Sequence, residues 1–240
     1  MFFHSHSQAT DSEPGSGFWR QGQVLQICDL QALDDRSNRP YSLCMDKRNP
    51  DTQTHILSTG RRLTALNGYA GVGLSELLKE AGVPKGSFYH YFQSKEAYGC
   101  ALLKDFANDY EEKLSNTLNH PGKDGRSRLL AYFAQWRKQQ TGDIPEERCL
   151  VVKLSAEVAE LSPDMSEILE HSVKFIVDRL ADTLREGVAD GSIGAHKDSA
   201  ELAGTLYHLW LGASLVAGLS RKNTALTSAL RVTKVLIPVV

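Results

Sequence analysis

Paired cysteine is missing from this sequence. Cys28, Cys44, Cys100 and Cys149 stand far apart and form no C-x-x-C. That argues against a disulfide scaffold and a cysteine-rich zinc site, and fits a reducing, cytoplasmic setting. An excess of one charge is missing too: 27 Lys and Arg face 29 Asp and Glu, a formal net charge of −2. The chain as a whole is therefore no basic nucleic-acid sponge, and any DNA contact has to come from a local patch. No apolar run is read as long enough to span a bilayer. The best stretch, residues 206–219, is interrupted by His208, so no membrane partner is expected. A basic segment followed by an apolar one is absent from the N-terminus, so no secretory signal is read.

Enzyme signatures are absent as well. H-E-x-x-H, G-x-S-x-G, a P-loop and G-x-G-x-x-G after a strand do not occur, and Gly68, Gly71 and Gly73 have the wrong spacing. No enzyme activity and no cofactor are expected. Glu167 and His171 are four residues apart, yet two ligands without a third make a weak metal site, and a solvent-facing pair is the plainer reading. Apolar and polar residues nowhere alternate as in a half-buried strand.

What is there is helical. The 240 residues are 41% hydrophobic and 23% charged, an ordinary globular balance with enough chain for a real core. Residues 1–50 hold Pro14, Pro40 and Pro50 and no sustained periodicity, and are expected to be unstructured. Met45 opens a polar segment before the first helical pattern. It is either the biological start or part of a genuine arm. From there the apolar residues recur at helical spacing: Ile56, Leu57, Leu63 and Leu66, then Leu74, Leu77, Leu78 and Ala81, then Phe88 and Phe92. The spacing predicts a small three-helix unit over 51–98 and a larger helical domain over 99–240, all-α throughout.

The informative segment runs from Gly73 to Glu96. Gly82 suits the left-handed residue that ends a helix. Val83 plugs the corner, Pro84 or Lys85 starts the next helix, and Ser94 caps the one after. Phe88 and Phe92, four apart, anchor one helix face. The opposite face then carries Lys85, Ser87, Tyr89 and His90, donors suited to phosphate oxygens and base edges. A helical corner used only for packing gives no reason for that set. The local surplus of cations is small. Lys47, Arg48, Arg61, Arg62, Lys79, Lys85 and Lys95 face Asp46, Asp51, Glu76, Glu80 and Glu96. Specificity is therefore expected to rely on dimer spacing more than on bulk charge.

The dense run from Lys85 to Phe92, followed by Ser94, Lys95 and Glu96, resembles the DNA-binding signature of TetR-family transcriptional regulators over residues 54–100. The resemblance implies a homodimer whose third helices enter successive major grooves of double-stranded operator DNA. It implies DNA contacts from Lys85, Ser87, Tyr89 and His90, and a phosphate contact from Lys95. Two departures stand out. Gly73 replaces the usual Thr or Ser cap, and Pro84 replaces a Ser, which puts one phosphate contact in doubt.

The run from Cys149 to Met165, with residues 209–213, is similar to the NemR-like, electrophile-responsive subgroup of that family. It implies a repressor released by a small effector, a reactive carbonyl, quinone or oxidant. Cys149 is then the candidate sensor, since a helix start and the cations Arg148 and Lys153 favour thiolate. The alternative is a buried, inert cysteine, the commoner fate of a lone one. Cys100 is read as core. An ordinary non-covalent pocket is also open, with Tyr132, Phe133, Trp136, His171, Phe175, Tyr207 and Trp210 as aromatic candidates and Tyr132, Trp136 and Trp210 singled out. Leu206, Trp210, Ala213, Ala217, Gly218, Leu226, Leu230 and Val235 are expected to pair two copies through the last two helices, with packing inside one subunit as the alternative and both uses open to one helix. The rival readings are a helical ligand-binding module without DNA function, and an enzyme.

Overall fold

The computed structural model describes residues 50–144 and 148–240. The expected arm, the start at Met45, Cys28 and Cys44 lie outside the described residues. Among the latter, all regular structure is helical, in nine helices: α1 Pro50–Asn67, α2 Leu74–Ala81, α3 Lys85–Tyr91, α4 Lys95–Leu118, α5 Gly125–Thr141, α6 Leu150–Leu161, α7 Pro163–Ala189, α8 Ser199–Ser220 and α9 Thr224–Leu236.

Local chemistry sets the boundaries. Ser94, Asp124, Ser162 and Asp198 each cap a helix by accepting a first-turn amide, and Pro163 follows its cap at the first helical position. Gly82 ends α2 at φ 62. Its amide donates to Lys79 O and the Val83 amide to Leu78 O at 3.0 Å, so the orphan carbonyls of a short helix are satisfied in the turn itself.

Two cores form. The first holds Ile56, Leu57, Leu63, Leu77, Phe88, Phe92, Tyr98 and Leu103, and continues into Cys149, Leu154 and Val158 of the α6 segment and Met165 of α7. α4 runs unbroken across residue 98, so the three small N-terminal helices share their core with the helices that follow. The second core gathers Phe133 and Trp136 of α5, Ile176 and Leu180 of α7, Tyr207 and Trp210 of α8 and Leu226 of α9.

Several expected orientations change. Leu66 is 51% exposed: it lies on the outer side of the last turn of α1. His171 is exposed rather than part of an aromatic wall, and its ring nitrogen bonds the Glu167 carbonyl. No group of three metal-binding side chains occurs among the described residues. Leu206, Trp210, Ala213 and Leu226 are buried inside the subunit. The apolar side chains left on the outside of α8 and α9 are Leu215, Val216, Leu219, Val232 and Val235. α8, at 22 residues, is after all long and apolar enough to cross a membrane by length and composition. Its inner face supplies part of the second core through Ala203, Leu206, Tyr207, Trp210 and Ala213.

Candidate DNA interface and effector site

The recognition corner is built around three rings. Phe88 is fully buried, with its ring centroid 5.2 Å from Phe92 and 5.5 Å from Tyr98. Burying such a ring is worth on the order of 2–3 kcal/mol, and three of them fix α3 to α1 and α4. With that face anchored, the opposite face has no choice but to project. Lys85, Tyr89 and His90 are exposed, and Ser87 is half-buried. Tyr89 keeps 46% of its surface open, with the Lys85 ammonium 5.9 Å from its ring centre, near the outer limit of a cation–π contact. The His90 ring meets Tyr91 edge-on at 5.1 Å.

Lys95 is the first residue of α4, directly after the Ser94 cap. Its ammonium lies 5.1 Å from the centre of the Tyr69 ring. The Tyr69 hydroxyl donates to the Lys95 carbonyl at 2.6 Å. Burial, with lesser contributions from Cys100 and Glu96, pushes that phenol up to about 12, so it remains a donor at any physiological pH. The pair holds a cation at a helix N-terminus, where anions are favoured. This support from Tyr69 was not foreseen from the sequence, since the partners are 26 residues apart.

Two cations of the N-terminal unit have acidic partners, Arg61 partly buried and Arg62 on the surface. Arg61 binds Asp105 at 3.2 Å and Asp109 at 2.7 Å, and Arg62 binds Glu80 at 2.9 Å. Burial alone would raise Asp109, but its bonds to Arg61 and Lys113 hold the carboxyl below the ordinary carboxylate value. Asp105 and Asp109 lie in α4 beyond residue 98, and their hold on Arg61 leaves that cation less open to DNA than the local sequence suggests.

Cys149 is the N-cap of α6 and is buried. Burial pushes its thiol up, while the amides of Val151 and Val152 pull it down less strongly. That corrects the expected activation: Lys153 sends its ammonium to the Leu66 carbonyl at 3.2 Å. Cys149 borders two hollows. One is a cleft of about 410 Å³ lined also by Ala65, Arg148, Lys153, Ser214 and Leu219. The other is a small apolar gap lined by Phe106, Tyr110, Leu169 and Ile176. Cys100 is half-buried against the first core.

The sequence-selected aromatics take a different place. Trp136 donates to Ser214 Oγ and Trp210 to Thr233 Oγ1, each at 3.0 Å. Phe133 stacks on Trp210 at 4.9 Å. Trp136 and Trp210 line neither hollow beside Cys149 and serve as core. Tyr132 reaches that region indirectly, through a 2.9 Å bond between its hydroxyl and that of Tyr110. Burial holds both phenols far above their ordinary value. The Tyr207 hydroxyl is buried with no hydrogen-bond partner among the described residues.

Known proteins match both halves. A family described as "Bacterial regulatory proteins, tetR family" matches residues 56–97, and "Tetracyclin repressor-like, C-terminal domain" matches residues 125–233. The "HTH-type transcriptional repressor NemR" of Escherichia coli (strain K12) is 43% identical over 182 residues, 75% of this chain and 90% of that protein. The "Transcriptional regulator AcuR" of Cereibacter sphaeroides is 34% identical, covering 73% of this chain and 80% of that protein. Among solved structures, the reduced form of E. coli NemR superposes with a TM-score of 0.76 at 41% identity, covering 79% of this chain and 98% of that one. Regulators of this kind bind operator DNA and small-molecule effectors and are usually dimers. With an exposed α3 on a ring-anchored corner and a long helical remainder, the chain belongs to the TetR family of DNA-binding transcriptional regulators, on its NemR-like side.

Proposed function

We propose that this protein is a cytoplasmic, homodimeric repressor that leaves its operator when a small effector is captured beside Cys149. The observation that carries the DNA half is the outward face of α3: Lys85, Ser87, Tyr89 and His90 opposite a fully buried Phe88. Tyr89 and His90 read base edges, while Lys85, Ser87 and Lys95 hold phosphates. The apolar strip of Leu215, Val216, Leu219, Val232 and Val235 on α8 and α9 pairs two copies, and Leu215 and Leu219 of that strip also wall the cleft at Cys149. A two-fold then sets the recognition helices one duplex turn apart.

The effector half is supported by the cleft at Cys149 and by the similarity to a repressor whose solved structure is described as a reduced form. Burial keeps the thiol protonated, so the effector enters the cleft first and reacts there. Addition across a carbonyl forms an S–C bond, moves the carbonyl π pair onto oxygen and delivers the thiol proton to that oxygen, with no further reactant. A peroxide would instead transfer one oxygen to the same sulfur as its O–O bond breaks, giving the sulfenic acid and water. In the dimer, a shift of a fraction of an ångström at this core is amplified in the spacing of two coupled half-sites. The test is release of the protein from DNA by a small unsaturated aldehyde. Wild type is expected to dissociate and Cys149→Ser to stay bound. Equal release of both overturns the Cys149 reading and leaves the DNA reading standing.

A further inference from the structure

α6 follows its cap Cys149, and its next turns reach the end of α1. Two of its side chains, four residues apart and therefore on one face, finish there. Lys153 Nζ donates to the Leu66 carbonyl at 3.2 Å. The Glu157 carboxylate accepts the Ala70 amide at 3.0 Å. Each bond spans 87 residues of sequence.

Both targets are groups a helix end leaves without partners. α1 ends at Asn67, so the Leu66 carbonyl belongs to the last turn, where no later amide of the helix can bond it. A cation suits that negative end of the helix. Ala70 lies in the α1–α2 turn. Gly68 permits the approach: it sits at φ +78, and a Cβ there would collide with the Glu157 carboxylate. One face of α6 thus grips the end of α1 with a cation and the following turn with an anion. α1 in turn lies under the recognition corner through Ile56, Leu57 and Leu63. The cleft of about 410 Å³ is lined by Cys149, by Lys153 and by Ala65 of α1. An occupant of that cleft touches the thiol, the lysine and the helix that the lysine holds.

We propose that Lys153 and Glu157 are positioning residues that lock the α1–α2 turn to α6, and that occupation of the cleft at Cys149 reaches the DNA-binding helices by loosening this lock. The second clause rests on the effector reading above; the first does not. Neither side chain needs to touch DNA, and of the two only Lys153 lines the cleft. Their work is to make the position of α1 depend on the position of α6, which is what coupling between two sites requires.

The test uses the full chain with Cys28, Cys44 and Cys100 replaced by Ser, and a duplex that the purified protein selects from a random pool. Duplex affinity is measured before and after methyl methanethiosulfonate converts Cys149 to a mixed disulfide. In the parent, modification is expected to weaken binding on the order of tenfold, a typical coupling between sites. In Lys153→Met/Glu157→Ala the ratio is expected to fall below about twofold, with helicity by circular dichroism unchanged. Glu157→Gln retains an acceptor oxygen for the Ala70 amide and keeps the parent's ratio, which a role through bulk charge would not allow. A double variant with the parent's ratio overturns the proposal. If the parent itself ignores the modification, the effector reading fails alone. The lock is then judged on untreated protein: weaker duplex binding in the double variant but not in Glu157→Gln supports it, and unchanged binding overturns it.

Discussion

The recognition corner and the Cys149 region solve opposite problems with the same material. Around α3 the rings of Phe88, Phe92 and Tyr98 are inside, with the Tyr98 hydroxyl buried and without a hydrogen-bond partner among the described residues, while Lys85, Tyr89 and His90 face solvent. Around Cys149 the polar groups are inside: a thiol, the joined hydroxyls of Tyr110 and Tyr132, and the unpartnered Tyr207 hydroxyl sit among apolar neighbours. A surface meant for a large, charged duplex has to offer donors already hydrated and projecting. A site meant for a small molecule has to hold its chemistry out of water until something enters. The first arrangement depends on a small core staying rigid. The second depends on a larger core giving way.

The comparison breaks most completely at Phe88. Phe88→Ala removes a ring with 0% exposure and is expected to cost about 3–5 kcal/mol of stability, seen as an early transition in chemical unfolding and as loss of duplex binding. A variant that binds DNA normally would show that the corner does not hang on this ring. Next comes Thr233→Val. It leaves the buried Trp210 indole N–H without its 3.0 Å partner and should cost about 1–3 kcal/mol by thermal unfolding, with the duplex contacts themselves untouched. The two variants together ask whether each core serves its own region.

A smaller expected effect concerns rate. The burial-raised Cys149 thiol has its thiolate form later than an open cysteine does. Its alkylation rate should therefore keep climbing with pH beyond 9.0, the ordinary thiol value, in a Cys28/Cys44/Cys100→Ser background. A rate that levels off near neutrality would mean an activated sulfur. The smallest effect is at Asp109, whose carboxyl is held low by Arg61 and Lys113 once burial is offset. A depressed carboxyl stabilises the fold above the unfolded value and loses that contribution as pH falls through the folded one. The melting-temperature gap between wild type and Asp109→Asn should accordingly be open at pH 7 and close on approach to pH 3, below the ordinary value of 3.8. Its size should stay under about 1 kcal/mol, as for exposed pairs.

The corner was legible in the sequence because its logic is short-range. Gly82 before Pro84, Phe88 four residues from Phe92, and Ser94 three before Ala97 each state a local geometry that the structure keeps. Helix ends read well for the same reason, as at Gly82 and Ser94. What faces what was harder. α8 is apolar on both sides, so periodicity alone could not assign Leu206 and Trp210 to the subunit core and Leu215 and Leu219 to the outside. Arg61 looked available for phosphate because its acids lie 44 and 48 residues on. Lys153 looked like a neighbour of the thiol, and the carbonyl that claims it is 87 residues away. His171 matched an aromatic wall by spacing but sits on the solvent side of α7. Each miss is a long-range choice between two faces that the sequence leaves equal.

Repression by this protein turns on α3 meeting a duplex through its exposed face. Its most direct test is a salt titration of duplex binding by the full-length protein and by Tyr89→Ala/Lys95→Ala. Wild type should weaken steeply with salt. The variant should lose about 1–3 kcal/mol per base-edge contact and bind with a shallower salt slope, by about one unit for each phosphate contact removed. Equal affinity and equal slope in the two proteins would contradict it.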